Sequence, residues 1–173
     1  MNYIIADNQE LTRYALERIL RQDARNMIYR TSDKGGLVEL LKAHEHAVVF
    51  LDYTLFDFVD EEQLLIIAER FSLSQWILIS DDLTPQFLRR IIYSSASHQF
   101  SIVYKDGPMK DIHDALDAVS RHSHHISQRA LETIIIQQQE DERRRTGNRT
   151  SDTRYSVLTT TEMEVVKAIA LGK

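Results

Sequence analysis

Four residues with reactive side chains stand at the ends of four apolar runs: Asp7 after "NYIIA", Asp52 after "VVFL", Ser80 after "QWILI" and Lys105 after "SIVY". If the runs are strands of one parallel sheet, all four side chains reach the same edge, where ligands bind because the loops diverge at the carboxyl ends of the strands. Two acids, a hydroxyl and an ammonium then share one crevice. Mg2+ takes oxygen ligands and keeps several waters, so Asp7, Asp52 and the backbone carbonyl of Thr54 are candidate ligands. The same set suits phosphoryl transfer onto a carboxylate, with Asp52 as nucleophile, Lys105 offsetting phosphoryl charge and Ser80 hydrogen-bonding another phosphoryl oxygen. A single acid after a strand more often starts a loop or caps a helix. The inference rests on the convergence of four.

The elements that would position them alternate along the chain. Candidate strands cover Asn2–Ala6, Met27–Thr31, Ala47–Leu51, Gln75–Ile79 and Ser101–Tyr104. Amphipathic stretches separate them. In "LTRYALERIL" Leu11, Ala15 and Ile19 share a stripe, and "EEQLLIIAERF" repeats it with Leu64, Ile67 and Ala68. Thr84–Pro85 is an N-cap followed by proline at the first helical position, predicting a helix over Gln86–Ser94, and a further helix is expected over Met109–Ser120. Strands alternating with helices predict an α/β fold with a doubly wound parallel sheet.

Beyond His122 the pattern changes. "ISQRALETIIIQQQEDERRR" reads as a helix capped by Ser127, "TGNRTSDTRYS" as a linker, and "LTTTEMEVVKAIALGK" as a fresh helix opened by the capping box Thr159/Glu162. The expected division is 1–122, a linker helix and flexible linker over 123–156, and the start of a second domain over 157–173.

Composition sets bounds. Of 173 residues, 43% are hydrophobic and 27% charged, which suits a packed globular core, and the net charge of −5 offers no whole-chain footprint for nucleic acid. No apolar run approaches the ~18 residues of a membrane span, so no membrane partner is expected. "MNYIIADNQE" lacks the basic start of a signal peptide, and there is no cysteine. Both features fit the cytoplasm.

In this order and spacing, "YIIADN", "VVFLDYTL", "WILIS" and "SIVYKDG" resemble the acidic, phosphoacceptor, hydroxyl and lysine strands of two-component response regulators, and "LTTTEMEVVKAIALGK" is similar to the opening of the helix-turn-helix domain in the NarL/LuxR class. The resemblance implies a flavodoxin-like five-stranded receiver of strand order 2-1-3-4-5. It also implies phosphorylation of Asp52 by a sensor histidine kinase with Mg2+ bound, signal spread through Ser80 to the face of the fourth helix and fifth strand, homodimerisation, and an output in transcription rather than enzymatic turnover. DNA binding is expected only of a full-length protein, since a helix-turn-helix reads bases with its second helix and the resemblance covers only the first. Arg143, Arg144, Arg145, Arg149 and Arg154 are possible phosphate contacts there, against the blander reading of a solvated linker.

The chain departs from that family in places. Where two adjacent acids are usual it has Asp7–Asn8, and the missing carboxylate is the one that most directly binds magnesium in relatives. Asn8 can coordinate only through a neutral amide oxygen. Leu55–Phe56 replaces a methionine–proline pair, and the usual switch aromatic is Ile102, with Tyr104 as a candidate substitute. These departures support an alternative, a phosphorylation-independent pseudo-receiver acting as a dimerisation or interaction module. A remote alternative, a haloacid dehalogenase-like phosphatase, needs a general acid two residues after the nucleophile, where this chain has Thr54. His122, His124 and His125 cluster without an evident carboxylate partner, which reads as a solvated hinge rather than a metal site. The run Ile134–Ile136 suits either a dimer stripe or packing against the first domain.

Overall fold

Strands buried on both faces read as continuous apolar runs, and the central ones here do so: Ile4, Ile5, Val49, Phe50, Ile77 and Leu78 are fully covered. The computed structural model describes residues 1–147, 165, 167–170 and 172. Of the expected linker over 146–156, Thr146 and Gly147 belong instead to the last turn of the helix Gln128–Gly147, where the Thr146 hydroxyl donates to the Glu142 and Arg143 carbonyls; the rest of it, the capping box Thr159/Glu162, Arg149 and Arg154 lie outside the described residues. Chain order is β1 (Asn2–Ala6), α1 (Glu10–Leu20), β2 (Met27–Thr31), α2 (Lys34–Ala43), β3 (Val48–Leu51), α3 (Glu61–Arg70), β4 (Gln75–Ser80), α4 (Pro85–Ile92), β5 (Phe100–Tyr104), α5 (Met109–Ser120) and α6 (Gln128–Gly147). The strands form one all-parallel sheet in the order β2-β1-β3-β4-β5, as the flavodoxin-like reading expects. Asn2–Ala6, Met27–Thr31 and Met109–Ser120 have the expected bounds, and the other expected strands and helices within 1–147 end within two residues of theirs. The larger difference is α2, which the apolar pattern does not announce.

Alternation along the strands divides the core in two. Ile4, Val49, Leu51, Leu78 and Ile102 face one way, against Leu37 and Leu41 of α2, Leu64 of α3 and Leu88 of α4. Tyr3, Ile5, Phe50, Ile77 and Val103 face the other, against Leu16 and Leu20 of α1 and Ala115 and Val119 of α5. Each fully buried side chain of this size contributes about 1.5–3 kcal/mol. The strands that carry the candidate site are therefore held rigidly. Caps fix the helix starts: Asp33 accepts from the Gly36 N–H at 2.7 Å, Asp60 from Gln63 at 3.0 Å, and Thr84 from Phe87 at 3.2 Å with Pro85 leading the helix. Gly36 lies so close to the Thr31 hydroxyl that a Cβ there would collide with it.

After α5 the chain reverses at His122, which adopts a left-handed φ of 54°. It then runs along the free edge of β5. Ile102 donates to the His125 carbonyl at 2.8 Å and accepts from the Ser127 N–H at 2.9 Å, so this segment covers the sheet edge as a single parallel bridge. Helix α6 continues onto α4. Ala130 and Ile134 enter the core beside Ile91 and Ile92, Gln138 donates to the Tyr93 hydroxyl at 2.9 Å, and Arg89 pairs with Asp141 at 3.2 Å. Of the isoleucine run, Ile134 is buried and Ile136 is 56% exposed, so the run packs back on the same core.

Candidate functional site

The carboxyl ends of β1, β3, β4 and β5 bring the four expected residues together. Lys105 Nζ lies 2.5 Å from Asp52 Oδ2 and 3.2 Å from Asp7 Oδ2, and donates to Gln9 Oε1 at 2.6 Å. Both carboxylates are 1% exposed and the lysine side chain 10%. Two acids and one ammonium leave a formal charge of −1 in a nearly closed place. Such groups stay ionised only where fixed partners replace the lost water.

Each acid divides its oxygens. Asp7 Oδ1 accepts from the Gln9 N–H at 2.6 Å. Asp52 Oδ1 accepts from the Thr54 N–H at 3.1 Å and from the Thr54 hydroxyl at 2.8 Å. That hydroxyl also lies 3.0 Å from Ser80 Oγ, and since its proton goes to Asp52, Ser80 is the donor of the second bond. Ser80 thus reaches the acid through Thr54. The two Oδ2 atoms face the ammonium at ion-pair range, outside hydrogen-bond geometry, and take no other partner.

Two buried, adjacent carboxylate oxygens whose shared partner is the Lys105 ammonium fit a hard divalent cation. Asp7 and Asp52 would hold Mg2+. Asn8 is exposed and donates its amide N–H to the Leu55 carbonyl at 3.0 Å, which leaves its Oδ1 as the only atom it could offer to a metal and ties the loop after β1 to the loop after β3.

Sequence reasoning missed Gln9 and the hydroxyl of Thr54. Each stands two residues after a site acid, the spacing at which an Asp side chain accepts a backbone N–H in an Asx-type turn, and that spacing is the signal that could have found them. Ile102 is fully buried within β5 and Tyr104 is 4% exposed, beneath the Arg129 guanidinium of α6 at 4.0 Å from its ring centre. Burial pushes the Tyr104 phenol up, with Thr133 and Arg129 opposing. A second aromatic link joins the site loop to α4: Tyr53, next to Asp52, stacks on Phe87 with ring centres 4.3 Å apart. Desolvation first, then Glu61 and Asp60, pushes the Tyr53 phenol up to about 12.

No family model matches the chain, and no curated protein does. Solved structures do resemble it. RcsB from Salmonella enterica serovar Typhimurium, bound to promoter rprA in the presence of the phosphomimetic BeF3-, aligns at 24% identity with a TM-score of 0.59, over 70% of this chain and 60% of that one. A second RcsB structure, the S207C response regulator of Salmonella typhimurium, aligns at 18% identity and TM-score 0.63 over 100% of this chain and 89% of that one. The signal receiver domain of a NarL response regulator from Mycobacterium tuberculosis aligns at 22% and 0.55, over 69% and 95%. At these identities the likeness shows the fold, that of response-regulator receivers. This chain spans under two thirds of the first RcsB chain. Among the described residues, no helix is long and apolar enough to cross a membrane.

Proposed function

We propose that this chain is a cytoplasmic response regulator, a switch rather than an enzyme, that accepts a phosphoryl group on Asp52 from a partner histidine kinase and controls DNA binding in a longer, dimerising protein. The observation that carries the reading is the ion pair of Lys105 with both Asp52 and Asp7 at the open end of a 2-1-3-4-5 sheet. In the transfer, Asp52 Oδ2 forms the new P–O bond as the P–N bond to the donor imidazole breaks, and the departing nitrogen keeps the electron pair and takes up a proton. Lys105 follows the phosphoryl oxygens, and Ser80, now bonded to Thr54 at 3.0 Å, turns from that hydroxyl to donate to another. Mg2+ held by Asp7 and Asp52 would supply charge neutralisation on the same oxygens. The promoter-bound RcsB relative supports the transcriptional output.

One observation favours the second reading, a pseudo-receiver. Asn8 stands where an acid is usual in the family, and with its amide N–H given to Leu55 it offers a metal a neutral Oδ1 in place of a carboxylate. A full charge pair at ~4 Å contributes ~4 kcal/mol at an effective dielectric of 20, so its absence weighs on metal affinity. Intact mass after incubation with acetyl phosphate and Mg2+ separates the two. A phosphate increment absent from Asp52→Asn supports the switch. No increment at millimolar Mg2+, restored by Asn8→Asp, assigns the defect to the metal; none in either supports the pseudo-receiver.

A further inference from the structure

The histidine cluster that the sequence leaves without a carboxylate acquires two of them in the fold. Asp111 and Asp114 lie one turn apart on α5, and the reversal at His122 returns the chain so that His125 faces them. His125 Nε2 is 3.3 Å from Asp111 Oδ1, and one ligand atom from each of Asp111, Asp114 and His125 falls within 4.8 Å of the others. The three are half-buried. Beside them is a cavity of about 230 Å³ whose lining includes Asp114, Asp117, Arg121, His124 and His125.

We propose that Asp111, Asp114 and His125 form a transition-metal site for Zn2+, separate from the Asp7/Asp52 pocket. The donor set decides the metal. One imidazole nitrogen with two carboxylates suits a borderline ion such as Zn2+, whereas Mg2+ prefers oxygen alone. Tetrahedral Zn2+ bonded at about 2.0–2.1 Å sets its ligand atoms about 3.3 Å apart. The His125–Asp111 pair already has that spacing, and Asp114 needs a side-chain rotation.

The backbone is prepared for this. His125 is fixed on both sides, its N–H donating to Ser101 Oγ at 2.9 Å and its carbonyl accepting from Ile102 at 2.8 Å, while Asp111 and Asp114 ride on a helix packed by Ile112, Ala115 and Val119. Two contacts give way: the hydrogen bond between His125 Nε2 and Asp111 Oδ1 loses its proton as both atoms turn to the metal, and Asp114 changes partners. It now pairs with Lys110 at 2.5 Å, and the lysine side chain is 80% exposed, so releasing it to water costs little. Three protein ligands leave a fourth position for water, and the metal would pin α5 to the segment that leads into α6.

Calorimetric titration of the full chain with ZnCl2, and visible absorption with Co2+ as a spectroscopic substitute, test the proposal. Expected is one saturable Zn2+ per chain that survives Asp52→Asn, is not matched by MgCl2, and weakens at least tenfold in His125→Ala and in Asp114→Asn. The intense d–d bands of four-coordinate Co2+ should fade in both variants, while His124→Ala keeps them. Circular dichroism confirms that each variant is folded, and Asp111→Asn replaces any that is not. The proposal is overturned if binding is absent, if it is lost only with Asp52→Asn, or if it persists in both His125→Ala and Asp114→Asn, which marks it as scattered histidine binding.

Discussion

The hydroxyl of Thr54 donates to Asp52 Oδ1 over 2.8 Å while the Thr54 N–H reaches the same oxygen at 3.1 Å. One residue therefore holds half of the nucleophilic carboxylate and, through its contact at 3.0 Å, the Ser80 hydroxyl as well. Two donors draw charge from the carboxylate, and Ser80 is turned towards Thr54 rather than towards an incoming phosphoryl group.

Thr54→Val removes the hydroxyl and keeps shape and backbone bond. The variant should unfold at lower urea concentration, by about 1 kcal/mol for the lost buried hydrogen bonds, with an unchanged denaturant slope. Its modification by acetyl phosphate, followed by intact mass, should run severalfold faster because the acid regains charge and Ser80 is released.

Lys105→Ala leaves Asp7 and Asp52, each 1% exposed, facing one another without a cation. Uncompensated buried charge makes this the costliest single change at the site, about 3–5 kcal/mol. Adding Asp52→Asn should return much of that loss. A urea double-mutant cycle reads the coupling, and additive losses would mean that the two groups do not interact.

The strand-end residues are legible in the sequence because burial fixes them: each follows a run of apolar side chains that can be satisfied only inside a sheet, and the chemistry follows from the four ends. What escapes sequence reading depends on groups with little apolar signal. Helix α2 opens with Gly35–Gly36, poor helix formers, and is specified by the Asp33 cap and by Leu37 and Leu41 beneath it. Gln9 and Thr54 are ordinary loop residues until the loops converge. The pairing of His125 with Asp111 needs the reversal at His122, which no local periodicity announces.

Acid stability should depend on Glu17, a buried acid on α1. Arg30 of β2 donates to its carboxylate at 2.5 Å, and Arg21 stands 3.6 Å away. The Arg30 hydrogen bond, opposed by burial and aided by the charges of Arg30 and Arg21, holds the carboxyl below its ordinary value of 4.5. A depressed folded pKa means that its contribution is complete above about pH 4.5 and is lost as pH falls through the lower folded value. Urea midpoints measured between pH 6 and pH 3 should fall less steeply in Glu17→Gln than in the unsubstituted protein.

Helix α6 should behave as part of the first domain's core. Ile134 is fully buried among Ala130, Ile91 and Ile92, whereas the Arg89–Asp141 pair at its outer end is 40% and 35% exposed. Truncating a buried isoleucine costs about 2–5 kcal/mol, and an exposed ion pair contributes about 0–1 kcal/mol. Ile134→Ala should therefore lower the unfolding midpoint of the whole domain in one cooperative transition, and Asp141→Ala should leave it nearly unchanged. Hydrogen exchange gives the site-resolved check: amides of α4 and of Ile102 and Ser127, which bridge β5 to the α6 segment, should lose protection in Ile134→Ala. If those amides keep full protection, α6 is an independent arm and β5 is held without it.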